Sequence, residues 1–327
     1  RLEAELAAMS SDGASQLVVP QSDLEFTDLI GAGSAGEVYK ALLRNATTVA
    51  VKVLATDVGG VVAPAALYEF KKELEVLTRV VSPYTVKCFG AGLQPRICII
   101  MEYMSRGSLH GVMNDAERTF DWPAFFHYAV ATVRCLNTLH TWQPSIVHRD
   151  FKSLNLLVDA ADNVKVCDFG LSRFAAHTDE RSLQRVTGTL AYTAPEMLEA
   201  VPYTSAADHY SAAIVLWELA TRTVAGAYRQ PYASYTHITI DVQVLVAASQ
   251  GLRPALSPLL PPHLVLLLRA MWRSDHRERP ICSETLTALH YARRAHDADV
   301  QRWAQLAADT RTCTEDAAVD MAAAMSA

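Results

Sequence analysis

One change of rhythm constrains this chain more than any other feature. From residue 24 to about 53 apolar positions alternate in short runs, and from about 107 onward they recur every three or four residues. Alternation puts side chains on the two faces of a strand, whereas the longer spacing builds one face of a helix. Runs at 26–30, 37–43 and 48–53 therefore predict strands, the last two joined by a turn at Arg44-Asn45-Ala46. Residues 65–80 carry Leu67, Phe70, Leu74, Leu77 and Val80 at helical spacing, and 86–91 and 97–102 read as two more strands. Beyond Arg106-Gly107 helices are predicted over 122–142, 208–221 and 261–273. In the first of them Phe125, Phe126, Ala129, Val133, Leu136 and Leu139 share a face. A strand-rich part thus precedes a helix-rich part, which implies an α+β chain of two unequal lobes with a boundary near 102–107.

Half of the 327 residues are hydrophobic and 20% are charged, enough apolar material for a packed core and too much for general disorder. The 29 basic and 35 acidic residues leave a net charge of −6, which argues against a dedicated nucleic-acid-binding face. No apolar run is long enough to predict a membrane span. The six cysteines are scattered without a CxxC, and no HExxH occurs among the eleven histidines. Neither a zinc site nor a disulfide framework is expected, and a reducing compartment is. Asn45-Ala46-Thr47 is a formal glycosylation sequon of a kind that often arises by chance. The first residue is Arg1 rather than Met, so the lack of a signal peptide carries no weight.

Four segments carry chemistry. Gly31-Ala32-Gly33-Ser34-Ala35-Gly36-Glu37-Val38 joins two predicted strands instead of opening a helix, which separates it from a dinucleotide-binding turn. Glycines there let backbone N–H groups approach phosphate oxygens. In Val49-Ala50-Val51-Lys52 the lysine shares a strand face with Ala50, expected to look inward. An ammonium so placed needs an anion, and Glu73 on the following helix is placed to supply a carboxylate. The third segment is His148-Arg149-Asp150-Phe151-Lys152-Ser153-Leu154-Asn155, and the fourth, thirteen residues after Asn155, is Asp168-Phe169-Gly170. A hairpin of 156–158 and 164–166 would bring Asn155 and Asp168 to one end as hard oxygen ligands for Mg²⁺. Asp150 stands apart and can orient an attacking hydroxyl.

In order and spacing these segments, with Ala194-Pro195-Glu196, resemble the signature of eukaryotic protein kinases from about Phe26 to His296. The resemblance implies a two-lobed protein kinase-like fold: a small antiparallel sheet with an αC helix, and a larger, mainly helical lobe. It divides the chain into a linker or upstream helix (1–22), N-lobe (23–101), hinge (102–107), C-lobe (108–296) and a tail (297–327) that forms one further helix and frays. Gly31, Gly33 and Gly36, with Ile30, Ala32 and Ser34, would form a lid over ATP. Val38, Ala50 and Leu157 would sandwich adenine. Lys52 would bind the α- and β-phosphates and pair with Glu73. Met101 matches the gatekeeper, and Glu102, Tyr103 and Met104 match the adenine-binding hinge. Asp150 matches the catalytic aspartate, Lys152 the catalytic-loop lysine, and Asn155 and Asp168 the ligands of Mg²⁺, with Mn²⁺ as a substitute. Leu77, Cys88, His148 and Phe169 match a stacked apolar spine anchored by Asp208, and Glu196 and Arg279 a buried ion pair. Cys167 is expected to be a small buried hydrophobe.

Lys152 after Asp150, and Gly188-Thr189-Leu190-Ala191-Tyr192, resemble serine/threonine kinases. Ile100-Met101-Glu102-Tyr103-Met104 and Leu216-Trp217-Glu218-Leu219 resemble tyrosine-kinase sequences. The combination is similar to the tyrosine-kinase-like group, whose members mostly phosphorylate serine and threonine. The expected partners are protein substrates with Ser or Thr and an upstream activating kinase or the chain itself. Arg149 would read a phosphate on the segment from Asp168 to Glu196, with Ser182 and Thr187 as first choices and Thr178 and Thr189 also present. A cytoplasmic location, or the cytoplasmic face of a membrane, is expected. A pseudokinase scaffold and a dual-specificity or tyrosine kinase stand as alternatives. Ala35 replaces an aromatic often found in the glycine loop, Phe151 the usual Leu, and His209 and Ala212-Ala213 depart from the common large-helix pattern. The loop over 222–241 is longer than the family minimum and reads as a surface insertion.

Overall fold

The computed structural model describes residues 17–33, 36–56, 62–174, 190–198, 204–238 and 240–303. The first strands and helix are β1 (Leu24–Gly33), β2 (Gly36–Leu43), β3 (Thr47–Leu54), α1 (Pro64–Arg79), β4 (Cys88–Gly92) and β5 (Cys98–Glu102). Then come α2 (Leu109–Asn114), α3 (Trp122–His140), β6 (Ile146–Val147), β7 (Leu156–Val158), β8 (Val164–Val166) and β9 (Arg173–Phe174). The last helices are α4 (Ser205–Ala225), α5 (Asp241–Ser249), α6 (Pro262–Met271) and α7 (Cys282–Ala298). The chain divides into two compact units, one up to Gly107 together with Leu157–Ser172, the other comprising Ser108–Leu156 and the residues from Arg173 onward.

The first unit is built on an antiparallel sheet of order β1-β2-β3-β5-β4. Its apolar core lies on one face: Val49, Val51 and Val53 of β3 are buried with Leu24, Ala41, Cys98 and Ile100. Each buried valine is worth about 1.5–3 kcal/mol. Ala50 and Lys52 are on the opposite, half-buried face. Alternation alone could not say which face was which, because both are partly covered. Leu17–Val19, expected as linker, runs beside β4: Val19 N–H donates to Ala91 O at 2.9 Å and Ala91 N–H to Leu17 O at 2.8 Å. Val19 is part of the core.

A division by sequence alone would place 157–172 in the second unit. Backbone bonds explain its place in the first. Val158 N–H donates to Gly107 O (2.8 Å), Val166 N–H to Tyr84 O (2.9 Å) and Val86 N–H to Val166 O (3.1 Å). The turn between β7 and β8 is held by Asp159, whose Oδ1 accepts the N–H groups of Ala161 and Asn163 at 2.8 and 2.9 Å.

The second unit is organised around α4, whose residues from Ala207 to Val224 are all buried, polar ones included. A helix covered on every side is a core helix. It ends at Gly226, whose φ of +71° suits glycine. α3 starts on Asp121, which accepts the Ala124 N–H at 2.9 Å, with proline just inside. In the segment after α4, Tyr232 is buried, and its hydroxyl lies 3.0 Å from that of Tyr210. Beyond α7, Trp303 packs against α3. Trp303 is 5% exposed, its ring meets Trp122 edge-on at 4.9 Å, and its carbonyl accepts Trp122 Nε1–H at 3.2 Å.

Candidate active site

In the first unit, β2–β3 register sets Val38 opposite Lys52, and β3–β5 register sets Ala50 opposite Met101. These residues share the half-buried face of the sheet. From α1, Glu73 receives Lys52 Nζ at 3.0 and 2.7 Å, and Asp168 Oδ1 lies 3.0 Å from the same nitrogen. The side chains of Lys52 and Glu73 are only 15% and 5% exposed. Burial works against the ammonium, but the carboxylates of Glu73 and Asp168 outweigh it and raise its pKa above the usual lysine value. Burial also raises the Glu73 carboxyl against the pull of Lys52. With two carboxylates facing one ammonium, the lysine keeps its proton.

Gly31 and Gly33 end β1 and Gly36 starts β2, with Gly33 paired to Gly36. Only Gly36 is demanded by the backbone: its φ is +133°, and a Cβ there would overlap Val53 O. A Cβ on Gly33 would meet nothing within 4 Å. Ile30 is exposed, Met101 and Met104 are buried, and Val38, Ala50, Tyr103 and Leu157 are half-buried. Lys40 Nζ stands 5.3 Å over the Tyr103 ring. Glu102 is committed elsewhere: Lys165 Nζ donates to it at 2.7 and 2.8 Å, and Lys87 N–H at 2.6 Å. Leu77 and Phe169 are buried; Cys88 and, against expectation, Cys167 are half-buried. Ser34, Ala35, Thr178, Ser182, Thr187, Gly188 and Thr189 lie outside the described residues.

In the second unit, Asp150, Lys152 and Asn155 meet. Lys152 Nζ donates to Asp150 at 3.0 and 2.8 Å, and Asn155 Nδ2 donates to Asp150 O at 2.8 Å and Oδ2 at 3.0 Å. The loop is fixed from below by Asp208, which accepts the N–H of His148 (2.8 Å) and Arg149 (2.9 Å) and Nε2 of His140 (3.0 Å). Burial alone would raise the Asp208 pKa, but these donors hold it below the usual carboxylate range. Glu196 and Arg279 form a bidentate buried pair at 2.6 and 2.7 Å.

Some partners were not legible in the sequence. Glu218 Oε1 accepts the hydroxyls of Tyr192 (2.7 Å), Tyr228 (2.7 Å) and Ser153 (3.2 Å). Burial pushes its carboxyl up to about 7, only partly offset by those donors. Arg222 is also buried, donating to Met113 O at 2.8 Å and Arg118 O at 3.0 Å. No local pattern in the sequence names Glu218 or its hydroxyl donors.

The sequence matches the protein kinase domain over residues 24–290. It is 39% identical over 290 residues to stress-activated protein kinase alpha of Dictyostelium discoideum, covering 88% of this chain and 45% of that protein. A probable serine/threonine-protein kinase of the same organism is 40% identical over 291 residues, covering 88% of this chain and 34% of the relative. Ankyrin repeat-containing protein kinase A, also from that organism, is 35% identical over 292 residues, 88% of this chain and 20% of the relative. The chain spans less than half the length of these curated relatives. A domain match that takes in Lys52, Glu73, Asp150, Asn155 and Asp168, together with these identities, places the chain in the protein kinase family, whose fold is the small antiparallel sheet and helical unit described above.

Proposed function

We propose that this chain transfers the γ-phosphoryl group of ATP to serine and threonine hydroxyls of protein substrates. The observation that carries this is Lys52 held between Glu73 and Asp168, a buried cation with a surplus of carboxylate. Lys52 binds the α- and β-phosphates, and Gly31, Gly33 and Gly36 with Ile30, Ala32 and Ser34 cover them. Val38, Ala50, Met101 and Leu157, with the backbone of Glu102, Tyr103 and Met104, receive adenine. Asp150 orients the acceptor hydroxyl and takes its proton, and Lys152 offsets charge on the transferring group.

Asp168 and Asn155 offer a carboxylate and an amide carbonyl, hard oxygens that suit Mg²⁺ or Mn²⁺. The amide nitrogen of Asn155 is engaged by Asp150, so Oδ1 is its ligating atom. A bound ion would supply charge neutralisation of the phosphates.

The relatives named serine/threonine kinases support the hydroxyl class. Arg149 as reader of a phosphate at Ser182 or Thr187, added by an upstream kinase or by the chain itself, extends the reading, as does a cytoplasmic location or the cytoplasmic face of a membrane. Among the described residues no helix is long and apolar enough to cross a membrane. Radiolabel transfer from ATP to a generic protein substrate tests the proposal. Transfer by the wild type, absent in Lys52→Met and Asp150→Asn, is expected. Nucleotide binding without transfer would favour a scaffold role, and phosphotyrosine in the product would overturn the serine/threonine assignment.

A further inference from the structure

His140 at the end of α3, His209 in α4 and Cys282 at the start of α7 converge within the second unit. Cys282 Sγ lies 4.0 Å from His140 Nδ1 and 4.0 Å from His209 Nε2. The three ligand atoms all lie within 4.8 Å of one another. His209 and Cys282 are buried, and the His140 side chain is 9% exposed.

We propose that His140, His209 and Cys282 bind a single zinc ion that staples α3, α4 and α7 together. Two imidazoles and a thiolate are a donor set that zinc prefers. Zinc with ordinary Zn–S and Zn–N lengths and tetrahedral angles places sulfur and nitrogen about 3.6 Å apart. Each sulfur–nitrogen distance therefore needs to close by only about 0.4 Å.

Two further observations point to an ion. His140 Nε2 lies 3.0 Å from Asp208 Oδ2, and Asp208 accepts two backbone N–H groups as well. With Nε2 on Asp208, Nδ1 is the nitrogen turned towards Cys282. This is the carboxylate–histidine arrangement that orients metal-ligating imidazoles. His209, in turn, is a buried imidazole with little to do. Its Nε2, the nitrogen turned to the site, has the Cys282 thiol at 4.0 Å. Buried polar groups are rarely left so poorly satisfied.

Zinc uptake breaks the S–H bond, forms an S–Zn bond and releases one proton to solvent, with no electron transfer. Through Asp208 the ion also firms the backbone of His148 and Arg149.

The test is zinc titration of the chelator-stripped full chain without nucleotide, under reducing conditions, with cobalt substitution in parallel. One equivalent should bind, the melting temperature should rise, and the cobalt form should show a thiolate-to-metal charge-transfer band. Cys282→Ser and His209→Gln should each lose the band and weaken binding more than tenfold. Failure of the wild type to bind zinc, or equal binding by both variants, would overturn the site. Equal binding would place the ion elsewhere. Should the variants not fold, a wild-type cobalt spectrum without the thiolate band overturns it alone.

Discussion

Asp208 accepts the backbone N–H of Arg149 at 2.9 Å, at a residue whose φ is +69°. A non-glycine residue in that left-handed region costs about 1–3 kcal/mol and persists only where its surroundings hold it. Asp208 does so with one buried carboxylate that also takes His148 N–H and His140 Nε2. Asp208→Asn exchanges an acceptor oxygen for a donor, so a charge-assisted bond is lost. Urea unfolding should show a loss of about 3 kcal/mol, with phosphoryl transfer reduced in parallel. An unchanged midpoint would show that the loop does not lean on this carboxylate.

Lys52→Met should abolish phosphoryl transfer and also change the pH dependence of folding. It leaves the buried Glu73 carboxyl without its ammonium, so burial raises that pKa further. A folded-state carboxyl with a raised pKa binds more protons than the unfolded chain, so stability falls as pH rises. Denaturant midpoints should therefore drop more steeply for the variant than for the wild type as pH rises above the usual carboxylate range. Parallel curves would contradict the pairing.

Glu218 makes a second pH prediction. Its carboxyl is pushed up to about 7 from 4.5, so the folded chain holds a proton that the unfolded chain has released across that window. Stability should fall by about 3 kcal/mol as pH rises from 4.5 through 7. Glu218→Gln keeps an acceptor oxygen and cannot ionise, so its curve should be flatter there. A slope as steep in the variant as in the wild type would assign the effect to another group.

Glycine loop substitutions should separate backbone need from ligand need. Gly36→Ala forces a Cβ onto Val53 O at a φ of +133° and should cost about 1–3 kcal/mol or more. Gly33→Ala meets open space and should leave the thermal midpoint nearly unchanged. Any loss in the Gly33 variant should instead be read in KM for ATP. Equal destabilisation by both would show that the turn is strained throughout.

Much of the candidate site was legible because the chemistry leaves few options. A strand lysine beside Ala50 needs a carboxylate, and Glu73 supplies it at 2.7 Å. The second carboxylate on Lys52 is not legible in the sequence, because Asp168 reads there as a metal ligand. Glu102–Lys165, the hydroxyls around Glu218 and the His140–His209–Cys282 cluster were invisible. Cys282 is separated from its two imidazoles by 142 and 73 residues, and no motif spacing joins them.

Periodicity and the ordered motifs by themselves determined the strand-rich and helix-rich parts and the kinase family. Both are properties of neighbouring residues, since backbone geometry fixes which side chains share a face. What covers each face is a property of distant residues. Only the tertiary structure decided that the core lies under Val49, Val51 and Val53 rather than under Ala50 and Lys52. It alone drew Val19 and Trp303 into packed interiors and gave Asp208 three donors from two elements. Burial and hydrogen bonding across long sequence separations set those outcomes, and a one-dimensional pattern does not record them.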